Sequence, residues 1–241
     1  MKRRNNLQDC PDTFAIFVPV MGTKYFLEAC CPTIEAVRAA AGAGARRIEL
    51  CERLDVGGVT PSRALVRQAL AESPLPVNVL IRPREGDFVY SPAEAAAMLE
   101  SIRQCGTLVV GREAVQRRVN GVVVGALRAD GSVDEALMRR LVAQARASGL
   151  EVTFHRAFDE TADPFEALEA VIGLGCDRLL TSGHAPDAFA GRATLARLVS
   201  QAAGRIVIMA GCGVRPSNIE AIASVSSAPE YHSSCLLQTY P

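Results

Sequence analysis

The sequence predicts an α/β fold, a closed (β/α)8 barrel of the TIM type with its final helix missing, and three observations carry that prediction. Eight short apolar segments recur at intervals of roughly 25–40 residues, the period of a strand–helix unit. Most of them end in polar or cysteine residues. The apolar content is Ala, Val, Leu and Ile, with no Trp and 5% aromatics, which suits parallel strands covered by helices. The chain has 241 residues, 49% of them hydrophobic, enough for one large domain with a full core. Residues 24–241 are assigned to the barrel and residues 1–23 to an N-terminal extension.

The first strand is read from Tyr25 to Cys30. A helix follows over Pro32–Ala41, and Gly42 and Gly44 end it. The second strand is Arg47–Cys51, after which Thr60-Pro61 reads as an N-cap and first-turn proline. The third is Val77–Ile81, and Ser91-Pro92-Ala93-Glu94 beyond it is a capping box with proline at the first helical position. Thr107–Gly111 reads as an extra apolar segment outside the alternation. The fourth strand is Gly121–Gly125, and a helix over Val133–Ala147 leads to the fifth, Glu151–His155. Asp163-Pro164-Phe165-Glu166 opens the next helix in the same style. The sixth strand is Arg178–Thr181, and the seventh is Arg205–Met209 with Pro216 opening a helix. The eighth starts at Glu230 and runs to Ser234. The outer face of this last strand, near Tyr231, is expected to lack cover, so a homo-oligomer or docking of the Phe14–Val20 segment is expected there.

Lys+Arg and Asp+Glu are both 26, so no basic excess points to nucleic acid. The Phe14–Val20 patch contains Pro19 and is too short to span a bilayer. A soluble, cytoplasmic protein with no membrane partner is expected. None of the eight cysteines forms a Cys-x-x-Cys pair, which argues against a structural zinc site, and reduced thiols are the simplest reading.

Side chains alternate across a strand. The apolar alternates must pack on helices, which sends the others inward. Glu28 and Cys30 therefore point into the barrel from the first strand, and Glu49 and Cys51 from the second. Asn78, Leu80 and Arg82 do so from the third, Glu151, Thr153 and His155 from the fifth, and His232 and Ser234 from the last. Two thiols on adjacent strands, Cys30 and Cys51, form a soft-ligand pair suited to Cu(I), and buried apolar filling is the competing reading. Glu28, Glu49, Arg82 and His155 are the candidate catalytic residues. The glutamates need cations, and Arg82 is expected to pair with one of them. His155 suits acid–base work because its pKa lies near neutrality. Gly211 and Gly213 after the seventh strand, with Ser182 after the sixth, read as a place for an anion. Arg156 and His232 complete the binding candidates. Glycines serving only the turn explain that segment equally well.

At Leu27-Glu28-Ala29-Cys30-Cys31, Ala45–Cys51, Gly57–Ser62, Ile81–Phe88, Val152–Asp159 and Leu180–Gly183 the chain resembles the CutC copper-homeostasis family. The resemblance runs from about residue 25 to about residue 235. It implies a (β/α)8 barrel, a role in copper handling, and Cys30 and Cys51 as Cu(I) ligands. It implies no settled reaction. The alternative is a TIM-barrel enzyme acting on a small polar or anionic substrate, with no organic cofactor. The chain departs from the family pattern at Cys212, where glycine is expected, in the segment 106–119, and in its short tail.

Overall fold

The computed structural model describes residues 24–112 and 115–234. The N-terminal extension and the Phe14–Val20 segment lie outside the described residues. So do Cys10 and Cys235.

Chain order runs β1 (Phe26–Cys31), α1 (Ile34–Ala40), β2 (Arg47–Leu50), α2 (Arg63–Glu72), β3 (Val77–Leu80), α3 (Pro92–Thr107), β4 (Val109–Arg112), β5 (Val115–Arg118) and β6 (Gly121–Val124). It continues α4 (Glu135–Ala147), β7 (Glu151–Phe154), α5 (Pro164–Gly173), β8 (Arg178–Thr181), α6 (Arg192–Ala202), β9 (Val207–Ala210), α7 (Ile219–Ser226) and β10 (Glu230–Ser233). Eight strands close a barrel in the order β1-β2-β3-β6-β7-β8-β9-β10, and β10 pairs with β1. Every pair in the barrel is parallel. Seven helices are present among the described residues, and none follows β10 there.

The apolar alternates pack outward into one continuous core with the helices. Leu27, Ala29 and Cys31 of β1, Ile48 and Leu50 of β2, and Val152 and Phe154 of β7 all belong to it. A smaller inner cluster of Cys30, Cys51, Leu80 and Val123 occupies the barrel interior. Phe154 has no exposed surface and sits in the outer core, so the strand register read from the sequence holds there.

Helix starts follow their caps more closely than their prolines. Ser91 and Glu94 form the expected capping box ahead of α3, with Pro92 in the first turn. Asp163 caps α5 above Pro164. Elsewhere the proline misleads. Thr60-Pro61 does not open α2: Ser62 is its N-cap, accepting from the Leu65 amide. Pro216 lies ahead of α7, whose N-cap is Asn218. β9 starts at Val207, not Arg205, whose amide is taken by the Ala202 carbonyl at the end of α6.

Two further points differ from the sequence reading. The apolar segment near residue 109 is one arm of an antiparallel hairpin, β4–β5, separate from the barrel sheet. Arg117 anchors it by donating to the Ser73 carbonyl. The expected bare face at Tyr231 is absent. Tyr231 is only 2% exposed. Its ring meets that of Tyr25 edge-on at 5.3 Å, and its hydroxyl bonds Ser226 of α7. Residues just before β1 and at the end of α7 thus flank the last strand, and the reason for expecting a partner chain over it disappears.

Candidate functional site

The lower half of the barrel interior is closed by polar groups. Most stand at or near the first position of their strands, where alternation points the side chain inward. Glu28 accepts from Arg47, and Arg47 also reaches Glu230. Arg178 bridges Glu230 at 3.3 Å and Glu151 at 2.7 Å. Asn120 donates to Glu151 at 2.9 Å and contacts Asn78 at 3.0 Å. Asn78 closes the circuit by donating to Glu28 at 3.4 Å. Each charge therefore has an opposite partner, which buried charge requires.

Glu28 has no exposed surface. Burial opposes its ionisation, but the His232 hydrogen bond and the Arg47 charge outweigh burial and hold its pKa at about 2. His232 stands beside Glu28, in register on the neighbouring strand. Its Nδ1 lies 2.9 Å from Glu28 Oε1 and its Nε2 lies 3.2 Å from Glu49 Oε2. Burial lowers the pKa of His232, but the two carboxylates raise it further, and the net shift is upward. Glu49 is raised to about 7, because burial and the Glu28 charge outweigh His232.

The two thiols stand beside this pair. Cys30 is in register with Glu49 across β1–β2, and Cys51 follows β2 immediately. Their sulfurs are 3.6 Å apart, both thiols free. The hydrogen bond to Cys51, and then burial, push the Cys30 thiol up. Cys30, Glu49 and His232 each offer a ligand atom within 4.8 Å of the others.

Above them opens a cavity of about 570 Å³ at the C-terminal ends of the strands. This is the end where the fold places its chemistry. Cys30, Glu49, Cys51, Arg82, His155, Arg156, Gly213 and His232 all line it. His155 is 5% exposed and caps the turn after β7, its Nδ1 accepting from the Ala157 amide at 3.2 Å. Burial and the nearby Arg82 charge lower its pKa to about 3, so the ring is neutral. Gly125 permits this placement, since a Cβ there would lie 2.5 Å from His155 Nδ1.

Four expectations need correction. Arg82 pairs with neither Glu28 nor Glu49. Its guanidinium donates to the carbonyls of Val56, Gly58 and Gly86 and lies over the Phe88 ring. Lying beyond the end of β3, it stands too high in the barrel to reach Glu28, which is in register with Arg47 and His232. Glu28 itself lies beneath the cavity, not in its wall. Ser182 also lies outside the wall, its hydroxyl spent on the Ala185 carbonyl. Two of the backbone amides expected to cradle an anion are filled from within, that of Gly211 by the Thr181 carbonyl and that of Ser182 by Asp159. Asp159 takes the Ser182 and His184 N–H groups and the Thr181 hydroxyl. Gly211 does not line the cavity either; a Cβ there would lie 2.3 Å from Leu180 Cδ1, so it serves close packing.

Arg47, Asp159, His184 and Cys212 belong to the site or its support and escaped the sequence reading. Arg47 was findable, since it shares the inward face with Glu49 two positions on. Asp159 stands in a 3-10 turn after β7 and His184 and Cys212 stand in loops, where alternation gives no direction.

The match to known proteins covers the barrel and this mouth together. The CutC family matches residues 25–236. The family protein CutC of Vibrio cholerae serotype O1 is 46% identical over 209 residues, spanning 87% of this chain and 79% of the relative. That of Parabacteroides distasonis is 46% identical over 212 residues, spanning 88% of this chain and 83% of the relative. Among solved structures, a candidate copper homeostasis protein CutC from Streptococcus agalactiae superposes with a TM-score of 0.78 at 29% identity, covering 87% of this chain and 98% of that one. A deoxyribose phosphate aldolase from Aeropyrum pernix has a TM-score of 0.57 at 18% identity, covering 89% and 86%, a likeness of fold alone. No helix among the described residues is long and apolar enough to cross a membrane. With the family match spanning every strand that builds the mouth, the chain belongs to the CutC family.

Proposed function

We propose that this protein serves copper homeostasis by binding Cu(I) at the barrel mouth through Cys30 and Cys51, with Glu49 and His232 beside them. One observation carries the reading: two free thiols 3.6 Å apart, next to a carboxylate and an imidazole. Metal–sulfur bonds of about 2.3 Å at a tetrahedral angle would set two sulfurs about 3.8 Å apart, close to the spacing observed. Thiolates are soft donors and favour Cu(I) over hard cations. Glu28 supports the reading from below. By accepting from His232 Nδ1 it would turn Nε2 toward the donor group, the arrangement by which a carboxylate orients a ligand histidine.

The test is a Cu(I) titration of reduced protein against a competing chelator. Cys30→Ser with Cys51→Ser should abolish tight binding, and His232→Ala should weaken it by about tenfold to a hundredfold. Unchanged affinity in the double cysteine variant would remove the proposal. The competing reading, an enzyme acting on a small polar or anionic substrate, is favoured by a different part of the same cavity, where Arg82 and His155 leave buried donors unused.

A further inference from the structure

Arg82 differs from the other interior cations. It is 7% exposed, and its terminal nitrogens donate only to neutral carbonyls, Nη1 to Val56 at 3.1 Å and Gly58 at 2.9 Å, Nη2 to Gly86 at 2.8 Å. The interior ion pairs among the described residues join Arg47, Arg178 and His232 to glutamates, and none includes Arg82. Its Nε–H is buried with no partner among the described residues. Nε2 of His155 is in the same position. Because His155 Nδ1 accepts the Ala157 amide, the neutral ring carries its proton on Nε2, which is therefore a donor.

These two donors belong together. Both residues line the mouth cavity and both rest on Phe88, the Arg82 Cζ 4.9 Å and the His155 ring 5.0 Å from that ring's centroid. Glu160, on the same cavity wall, feels the Arg82 charge but makes no ion pair with it, so the cation remains without a contacting counter-charge, which is costly, as is each unmet donor. A planar anion with two acceptor oxygens would satisfy the charge and both donors; both nitrogens are closed to solvent in this structure, so such an anion reaches them only when the Phe88 ring packed on both residues moves aside. Phosphate is the poorer fit. Arginine holds either anion, so the distinction rests on the backbone amides that help to hold phosphate, and here those of Gly211, Ser182 and His184 are spent within the protein.

We propose that the barrel mouth carries a carboxylate-binding subsite, in which Arg82 Nε–H and His155 Nε2–H receive the oxygens of a small organic acid. The subsite lies beside the Cys30–Cys51 pair in the same cavity but shares no residue with it.

The experiment uses the full reduced chain, free of metal and phosphate. Acetate, pyruvate, malonate and inorganic phosphate are titrated in turn, read by thermal shift and by the 15N resonance of His155 Nε2. At least one carboxylate raises the melting temperature and moves that resonance. His155→Phe, which keeps a ring against Phe88 but removes the donor, weakens this binding by about tenfold or more, the loss of a hydrogen bond to a charged group. The Cys30→Ser, Cys51→Ser double variant binds the same acid as the wild type, which separates this subsite from the copper reading. The proposal is overturned if no carboxylate moves the His155 resonance, if phosphate alone does so, or if H155F retains full affinity. Loss of carboxylate binding in the cysteine double variant also overturns it. The resonance arm needs only the wild-type chain and decides the matter if H155F does not fold.

Discussion

Glu28 keeps its charge without exposed surface because Arg47 and His232 stand in register with it on the neighbouring strands. Removing Arg47 leaves two glutamates, Glu28 and Glu230, short of a cation. Arg47→Met should therefore destabilise the fold by about 3–5 kcal/mol in urea unfolding, the cost of breaking a buried pair from one side. A loss below about 1 kcal/mol would place this pair with exposed salt bridges instead. His155 sets a second, pH-dependent test. Its folded pKa is about 3 against an ordinary histidine value of 6.5, so the unfolded chain takes up the proton first as pH falls. Its contribution is complete above pH 6.5 and declines toward pH 3. Between pH 7 and pH 5 the wild type should lose about 2 kcal/mol more stability than His155→Phe. Equal losses would mean that the ring protonates freely in the native state. At this scale alternation made Glu28, Glu49, Cys30, Cys51, His155 and His232 legible as inward residues. It did not give their height along the barrel. That is why Arg82, inward but beyond its strand, was taken for the partner that Arg47 is.

Among the elements, α3 shows how a cap reaches the site. Ser91 accepts from the Glu94 amide, and Glu94 returns to the Ser91 amide and also holds Arg84 at 2.6 Å. Arg84 in turn binds the carbonyls of Glu85, Asp87 and Val89, so the loop carrying Phe88 is tied to the start of the helix. Ser91→Ala should cost about 1 kcal/mol in urea unfolding. The loop after β2 is tighter. Gly58 sits at φ +89°, and a Cβ there would lie 2.8 Å from Leu80 Cδ2 and 3.5 Å from Cys51 Cβ. Gly58→Ala should destabilise by more than about 1 kcal/mol. It should also perturb Cu(I) affinity if Cys51 is a ligand, and the two titrations together check this. The capping box at Ser91 and the N-cap at Asp163 were legible because their chemistry is local. The starts of α2 and α7 were not, because a proline near a helix marks a turn as readily as a first helical residue. The β4–β5 hairpin was visible only as excess apolar sequence, since its anchor, Arg117 on the Ser73 carbonyl, is a contact between distant segments.

For the molecule as a whole, the barrel was legible from the period of its strands, but the circuit closing its floor was not, because it joins side chains from six strands and the residue before β6. Arg47 and Arg178 share Glu230, so Arg47→Met and Arg178→Met should couple. A double-mutant cycle by urea unfolding should give a non-additive term of about 0.5–3 kcal/mol, and strict additivity would mean that the circuit acts as isolated pairs. The circuit also has an order in time. Glu28 and Arg47 are synthesised early, whereas Glu230 lies 183 residues after Arg47 and His232 lies 204 after Glu28. A nascent chain that has made nine strands still lacks the carboxylate and imidazole that complete the floor, as well as the strand that pairs with β1. Closure is thereby tied to the arrival of β10, and a chain ending at Ser226 should remain open to protease while the full chain resists. The ring of charge would then act as a check that the last strand has been delivered before the barrel locks.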